Sequence, residues 1–255
     1  MPVPRFAVPV ALAWVLLGAP AVAQEAAEPS RPRIEPRAER ILLAADAFIQ
    51  AADRLSFRAR ITYDQVLPTG QKLQFGGRLE LAVKRPNKVF ASYRGDLSVK
   101  KAWCNGKKIT LYDQTANLFA VLNVPEKVDE AMEAAIKEAG FSIPLIDLVI
   151  ADPDVPRLNN VTAGEYIGLH AVDGVACHHL AFAGTRVDWQ IWIEDGPKLV
   201  PRKVVITYKL QTGAPQYTAW LTDWDFAPHL PDLLFEFRPP PGAEEIEFLK
   251  PEPKR

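Results

Sequence analysis

From Phe57 onward the sequence keeps a two-residue hydrophobic period. Phe57, Ala59, Ile61 and Tyr63 alternate with Arg58, Arg60, Thr62 and Asp64. After the turn residues Pro68-Thr69-Gly70, the apolar series Leu73, Phe75, Leu79, Leu81 and Val83 alternates with Lys72, Gln74, Arg78, Glu80 and Lys84. Side chains on a strand point to opposite faces in turn, so each run has one face for a core and one for water. The second run spans about twelve residues, or ~40 Å at ~3.3 Å per residue, which is long for a strand. Further strands are predicted at 88–94, 97–104, 107–113 and 116–124, then at 163–172, 175–183, 186–194, 201–210 and 216–226, with a final extended piece at 234–237. Asn105-Gly106 is a two-residue hairpin signal.

Helical spacing appears in two places. Ala38, Ile41, Leu42, Ala45, Phe48, Ile49 and Ala52 recur every three or four residues, predicting a helix over 38–54. Pro125 opens a second helix over 126–139, with Gly140 as its cap, and a short apolar helix over 143–150 follows at once. About eleven strands in meander order, with short turns, predict a mainly β fold with α: a half-open antiparallel β-barrel whose concave side is plugged by helices or by a ligand.

The first 23 residues read as an export signal. Arg5 is followed by an apolar stretch at 6–17, and Ala21-Val22-Ala23 supplies small residues before a cleavage point near Ala23. The apolar stretch is shorter than the ~20 residues a spanning helix needs. The rest of the chain contains no second run of that length, so no transmembrane segment is expected in the mature protein. The expected location is the periplasm. Residues 24–37, rich in Glu, Ala, Pro and Arg, read as a flexible segment, and 38–250 as a single domain.

The net charge of -1 argues against a nucleic-acid binder, which normally shows a basic patch or tail, so no nucleic-acid partner is predicted. No nucleophile-elbow, zinc-protease or phosphate-loop motif occurs, so no catalytic residue, enzyme activity or cofactor is assigned. Cys177-His178-His179 invites a metal reading, but adjacent strand residues point to opposite faces and cannot converge on one ion; no metal site is expected. Cys104 and Cys177 are the only cysteines. In an oxidising compartment they are either unpaired strand residues or one disulfide, whose loop of about 70 residues would contribute roughly 4 kcal/mol.

Three segments carry a resemblance. Val83-Lys84-Arg85-Pro86-Asn87, Asn105-Gly106-Lys107-Lys108-Ile109-Thr110-Leu111-Tyr112 and Phe235-Glu236-Phe237-Arg238-Pro239-Pro240-Pro241-Gly242 resemble, in the same order, motifs of LolA-type periplasmic lipoprotein carriers of the LolA/LolB-like superfamily. Asp188-Trp189-Gln190 with Trp192, and Pro201-Arg202-Lys203, resemble a related predicted periplasmic family of unknown function (DUF2092-like). The carrier resemblance implies an apolar cavity for an acyl chain or lipid ligand, closed by a helical lid at 143–150. There are departures: the chain is longer than typical carriers, the helix at 126–139 is additional, and no lipid-attachment cysteine stands near the cleavage point.

Shared strand parity under the lid names Phe57, Ile61, Tyr63, Phe75, Leu79, Leu81 and Val83, facing Ile146 and Val149, as cavity candidates; a packed core is the competing reading of the same residues. Arg85 has the inward parity of Leu81 and Val83. An inward guanidinium needs acceptors, and the free carbonyls at the end of the 127–139 helix or of the short helix after it are suitable. The resemblance implies that Arg85 latches the lid. An exposed strand-end arginine is the alternative. For function, a carrier or binding protein for a lipid or acylated ligand stands first. A sensory or scaffolding module of the envelope, with an envelope protein as partner, stands second, because the fold also resembles the N-terminal domain of periplasmic stress regulators.

Overall fold

The computed structural model describes residues 33–139, 145–149, 158 and 160–248. The expected signal segment, residues 24–32, the Gly140 cap and parts of the 143–150 helix lie outside the described residues.

The described strands are β1 (Arg33–Ile34), β2 (Arg54–Val66), β3 (Lys72–Lys84), β4 (Lys88–Gly95), β5 (Val99–Asn105), β6 (Lys108–Asp113), β7 (Leu118–Asn123), β8 (Val161–Val172), β9 (Val175–Gly184), β10 (Val187–Glu194), β11 (Pro201–Tyr208), β12 (Gln216–Asp225) and β13 (Glu244–Glu245). They form one large open sheet in the order β1-β8-β9-β10-β11-β12-β2-β3-β4-β5-β6-β7-β13. Two antiparallel meanders, β2 to β7 and β8 to β12, join where β12 pairs with β2, Tyr217 opposite Tyr63 and Ala219 opposite Ile61.

The expected antiparallel meander is corrected at its two edges. β1 pairs parallel with β8, and β13 parallel with β7. The first of these also corrects the flexible segment: Arg33–Ile34 is strand, and helix α1 (Pro36–Gln50) begins inside the stretch read as a tether. Pro36 suits a first helical turn, where its missing N–H has no partner to lose. The Glu35 carboxylate accepts a hydrogen bond from the Tyr166 backbone N–H at 2.9 Å, which fixes the entry of the helix against β8. The helix stops at Gln50 rather than 54, because Arg54 is already paired with Lys84 in the β2–β3 ladder.

The alternation of β2 and β3 places Leu55, Phe57, Ala59, Ile61, Leu79, Leu81 and Val83 on the concave face, all buried. Ala38, Leu42, Ala45 and Ile49 of α1 pack there, as do Ala131, Met132 and Ala135 of α2 (Val128–Ala139). Leu145, Ile146, Leu148 and Val149, around a single 3-10 turn at Ile146–Leu148, complete this core.

The convex face of β3 to β7 is covered by the C-terminal segment. Residues 234–237, expected as an extended piece, instead begin in a 3-10 turn at Asp232–Phe235. Phe235 is fully buried against Ala82 and Phe90, and the Phe237 ring lies 4.9 Å from Trp103 and 5.0 Å from Phe119. Lys84 and Lys88 both donate to one carboxylate oxygen of Asp232, at 2.7 and 2.9 Å. These two hydrogen bonds, with the positive charges behind them, hold the Asp232 carboxyl down at about 2 against an ordinary 3.8. Because the folded value is depressed, this contribution to docking the strap is complete above pH ~4 and is lost as pH falls through about 2. An NMR titration of the Asp232 side chain is expected to report a midpoint near 2, returning to the ordinary range when Lys84 and Lys88 are both replaced by methionine. A wild-type midpoint near 3.8 would show that the strap is not held this way.

Candidate functional site

Arg85 follows β3 and turns inward. Its Nε donates to the carbonyl of Ala52 at 3.0 Å, and its Nη2 donates to the carbonyls of Val149 at 2.8 Å and Ile49 at 3.5 Å. Its backbone N–H donates to the Asp53 carbonyl at 2.8 Å. One guanidinium therefore bridges the last carbonyls of α1, the short apolar turn and the end of β3. Orphan carbonyls at a helix end carry partial negative charge, which suits a permanent cation. The Val149 carbonyl belongs to the short turn, one of the two sources of acceptors named from the sequence. The α1 partners are additional, because a helix running to 54 would have passed them by.

The nine cavity candidates fall into two groups. Phe57, Leu81 and Val83 are packed against the helical elements in the same core cluster as Ile146 and Val149. Phe57 is stacked on Trp224, with ring centroids 4.5 Å apart. Ile61, Tyr63 and Leu79 line an open cavity of about 510 Å³ farther along the same strands. Phe75 stands opposite Tyr63 with ring centroids 5.9 Å apart, and is not among the lining residues.

The cavity lies on the concave face beyond the helical plug. Its floor includes Ala91 of β4 and Ala102 of β5, which are directly opposite in register, with Leu111 of β6 beside Ala102. Its far wall is the β11–β12 hairpin, with Tyr208, Pro215 and Tyr217. Lys100 and Asp64 add polar groups to the lining. The Asp64 carboxylate already accepts from the backbone N–H of Gln216 at 3.0 Å. At about 510 Å³ the space falls within the ~300–1,000 Å³ typical of small-molecule sites.

Tyrosines dominate the polar chemistry of this cavity. Tyr93 lies flat over Gly77: a Cβ at that glycine would come within 2.6 Å of its ring, so the glycine makes the position available. Burial, then the neighbouring Tyr63 and Asp96, push the Tyr93 phenol up to about 12. Burial drives the Tyr217 phenol higher still. Both remain protonated donors at neutral pH. Ala91, Tyr93, Ala102 and Leu111 share the inward parity of buried neighbours, a signal present in the sequence. Tyr217 likewise shares the parity of Ala219 and Leu221, and Tyr208 that of Val204, but only the β2–β12 pairing, which parity does not show, brings them beside Tyr63.

A family model described as a predicted periplasmic protein, DUF2092, matches residues 38–249. The chain belongs to the DUF2092 family. No helix of this DUF2092 member, among the described residues, is long and apolar enough to cross a membrane. A search of curated proteins finds no match. Among solved structures, an uncharacterised conserved protein from Thermus thermophilus is similar at 9% identity, with a TM-score of 0.48, covering 83% of this chain and 99% of its own. LprF from Mycobacterium bovis is similar at 14% identity with a TM-score of 0.43, covering 77% and 96% respectively. A LolA superfamily protein from Nitrosomonas europaea matches at 12% identity with a TM-score of 0.36, covering 78% and 97%.

The DUF2092 residues set aside as metal or disulfide candidates are placed as follows. Cys104 and Cys177 are both buried and both free, which corrects the disulfide alternative. Cys104 lies in the concave core and Cys177 in a convex-face cluster with Trp192 and Val205. Six strands separate β5 from β9, or ~34 Å along the sheet at ~4.8 Å per step, against the ~7 Å a disulfide spans. Burial raises both thiols, which keeps them in the unreactive form.

His178 and His179 point to opposite faces. His179 stacks on Trp192 at 4.0 Å and pairs with Gln190 and His170, whereas His178 pairs with the Tyr166 hydroxyl at 3.3 Å and with Asp195 at 3.2 Å. Among the described residues, no group of three His, Cys, Asp or Glu side chains is placed to hold a metal ion.

Proposed function

We propose that this protein binds a single apolar chain, the acyl chain of a lipid or of a lipidated partner, in the cavity between β2–β6 and the β11–β12 hairpin. It does so in the periplasm, after removal of an export signal near Ala23. Ile61, Tyr63 and Leu79 contact the ligand. Phe57, Leu81, Val83, Ile146 and Val149 form the packed end of the same trough, and Phe75 stands beside Tyr63 at its rim. The helical elements act as a lid held by Arg85, which releases them when the trough must lengthen.

One observation carries the reading. Among the described residues, helices fill the concave face over only part of its length, and the remainder is an open apolar space floored by the small residues Ala91 and Ala102. Burial of each CH₂ is worth about 0.8 kcal/mol, so a twelve-carbon chain gains on the order of 10 kcal/mol. That is enough for retention in water and requires a movable element for release.

Titration of purified protein with a hydrophobic fluorescent dye, followed by displacement with a fatty acid, tests this directly. Ala91→Phe is expected to fill the floor and weaken dye binding at least tenfold. Overpacking of this kind costs stability by about 1–3 kcal/mol, so the variant is compared at a temperature where it remains folded. Absence of dye binding, or undiminished binding by Ala91→Phe, would overturn the proposal. Native mass spectrometry of protein taken from its host gives a second readout: co-purifying lipid supports the binding role. An empty cavity together with a stable protein partner would favour the scaffolding role instead.

A further inference from the structure

Tyr217 stands on β12 in register with Tyr63 of β2 and Ile206 of β11. It lines the cavity, yet it is only 7% exposed. Its hydroxyl is the one buried side-chain polar atom among the described residues that lacks a hydrogen-bond partner. Buried polar groups are nearly always paired, because an unmade hydrogen bond in a dry site is costly. An isolated exception at the wall of a cavity is therefore informative.

The surroundings narrow what could complete it. The electrostatic neighbours of the Tyr217 phenol are those of Tyr208 and Tyr93, which line the same space. The Tyr93 phenol is in turn coupled to that of Tyr63. The Asp64 carboxylate, the acidic group of the lining, is occupied by Gln216. Lys101 also lines the cavity, as does Lys100, which lies 3.8 Å from the Asp113 carboxylate, so the charged groups of the lining favour an oxygen acceptor over a cationic headgroup. A phenol that stays protonated offers one donor, aligned by a rigid ring that packing holds in place.

We infer that the ligand of this cavity carries a carbonyl or carboxylate oxygen at one end of its apolar chain, and that the Tyr217 hydroxyl, sealed from solvent in the empty protein, donates a hydrogen bond to that oxygen once the chain has entered. This rests on the cavity reading above and adds the group that recognises the polar end of the acyl chain, so that the site tells an acyl compound from a plain hydrocarbon of the same length. The oxygen has two sources, the carboxylate of a free fatty acid or the carbonyl of an esterified acyl chain.

The test compares wild type with Tyr217→Phe, which keeps the ring and removes only the hydroxyl. Three probes are used: palmitate, methyl palmitate and the hydrocarbon dye diphenylhexatriene. The variant is expected to bind the dye as wild type does and to lose about five- to tenfold in affinity for an oxygen-bearing probe. Loss for palmitate alone assigns a free acid; loss for both assigns the acyl carbonyl. The ligand-free variant is expected to melt no lower than wild type, since an unpaired hydroxyl contributes nothing to the empty fold. Equal affinity of the two proteins for all three probes, or equal loss for all three, overturns the inference while leaving the cavity reading intact. A lower melting temperature of the empty variant also overturns it, by showing that the hydroxyl is already engaged. If wild type binds the dye but neither palmitate nor its ester, the inference again fails. If it binds none of the three, both readings fall.

Discussion

Phe57→Ala is expected to destabilise the protein by about 4 kcal/mol. Phe57 is 2% exposed, stacks on Trp224 and stands opposite Leu81 in the β2–β3 ladder. Removing the ring takes away a large buried apolar surface and leaves a void between sheet and helices that their shared packing cannot close. Urea denaturation should show a lower midpoint with an unchanged slope. Dye binding per folded molecule should stay as in wild type, because Phe57 does not line the open cavity. A loss below about 1 kcal/mol would mean that its surroundings already yield like a ligand site, and would return Phe57 to the binding surface.

Arg85→Leu ranks second, at roughly 3 kcal/mol. Two well-formed hydrogen bonds from a charged donor are removed, and the carbonyls of Ala52 and Val149 lose their partner. The sheet should remain folded. The effect should concentrate where the guanidinium ties elements together, as faster amide hydrogen exchange at Leu148 and Val149, and as altered dye uptake and release. Arg85→Lys should recover only part of it, since an ammonium cannot reproduce the planar set of donors that reaches three carbonyls. Unchanged exchange over 145–149 together with unchanged ligand kinetics would remove Arg85 from any latching role.

Most of the strands could be read from the sequence because a one-residue slip would turn every buried side chain of β2 or β3 into water. The two edge strands could not: Arg33–Ile34 and Glu244–Glu245 are two residues long, too short for any period to show. The strap illustrates a different gap. Phe235 and Phe237 are visibly apolar, but that they cover the convex face depends on Trp103, Phe119 and Ala82, far earlier in the chain. The same reason divided the cavity candidates. Parity assigns Phe57 and Ile61 to one face equally; it does not say how far along that face the helices reach. For Arg85 the inward direction was legible, but the carbonyls of Ile49 and Ala52 became acceptors only because α1 ends where β2 claims Arg54.

The junction of β2 with β12 sets how quickly this chain can reach its native state. The sheet's central ladder unites residues such as Tyr63 and Tyr217, far apart in sequence, and β1 must find β8 across a similar gap. Each meander can zip locally from its hairpins, but neither hides its concave face until the two meet. Ladders of high contact order are slow to form, typically milliseconds to seconds. Until that ladder forms, each meander presents an unpaired edge and an uncovered apolar face, so the delay is also the interval in which the chain is most open to pairing with another copy of itself.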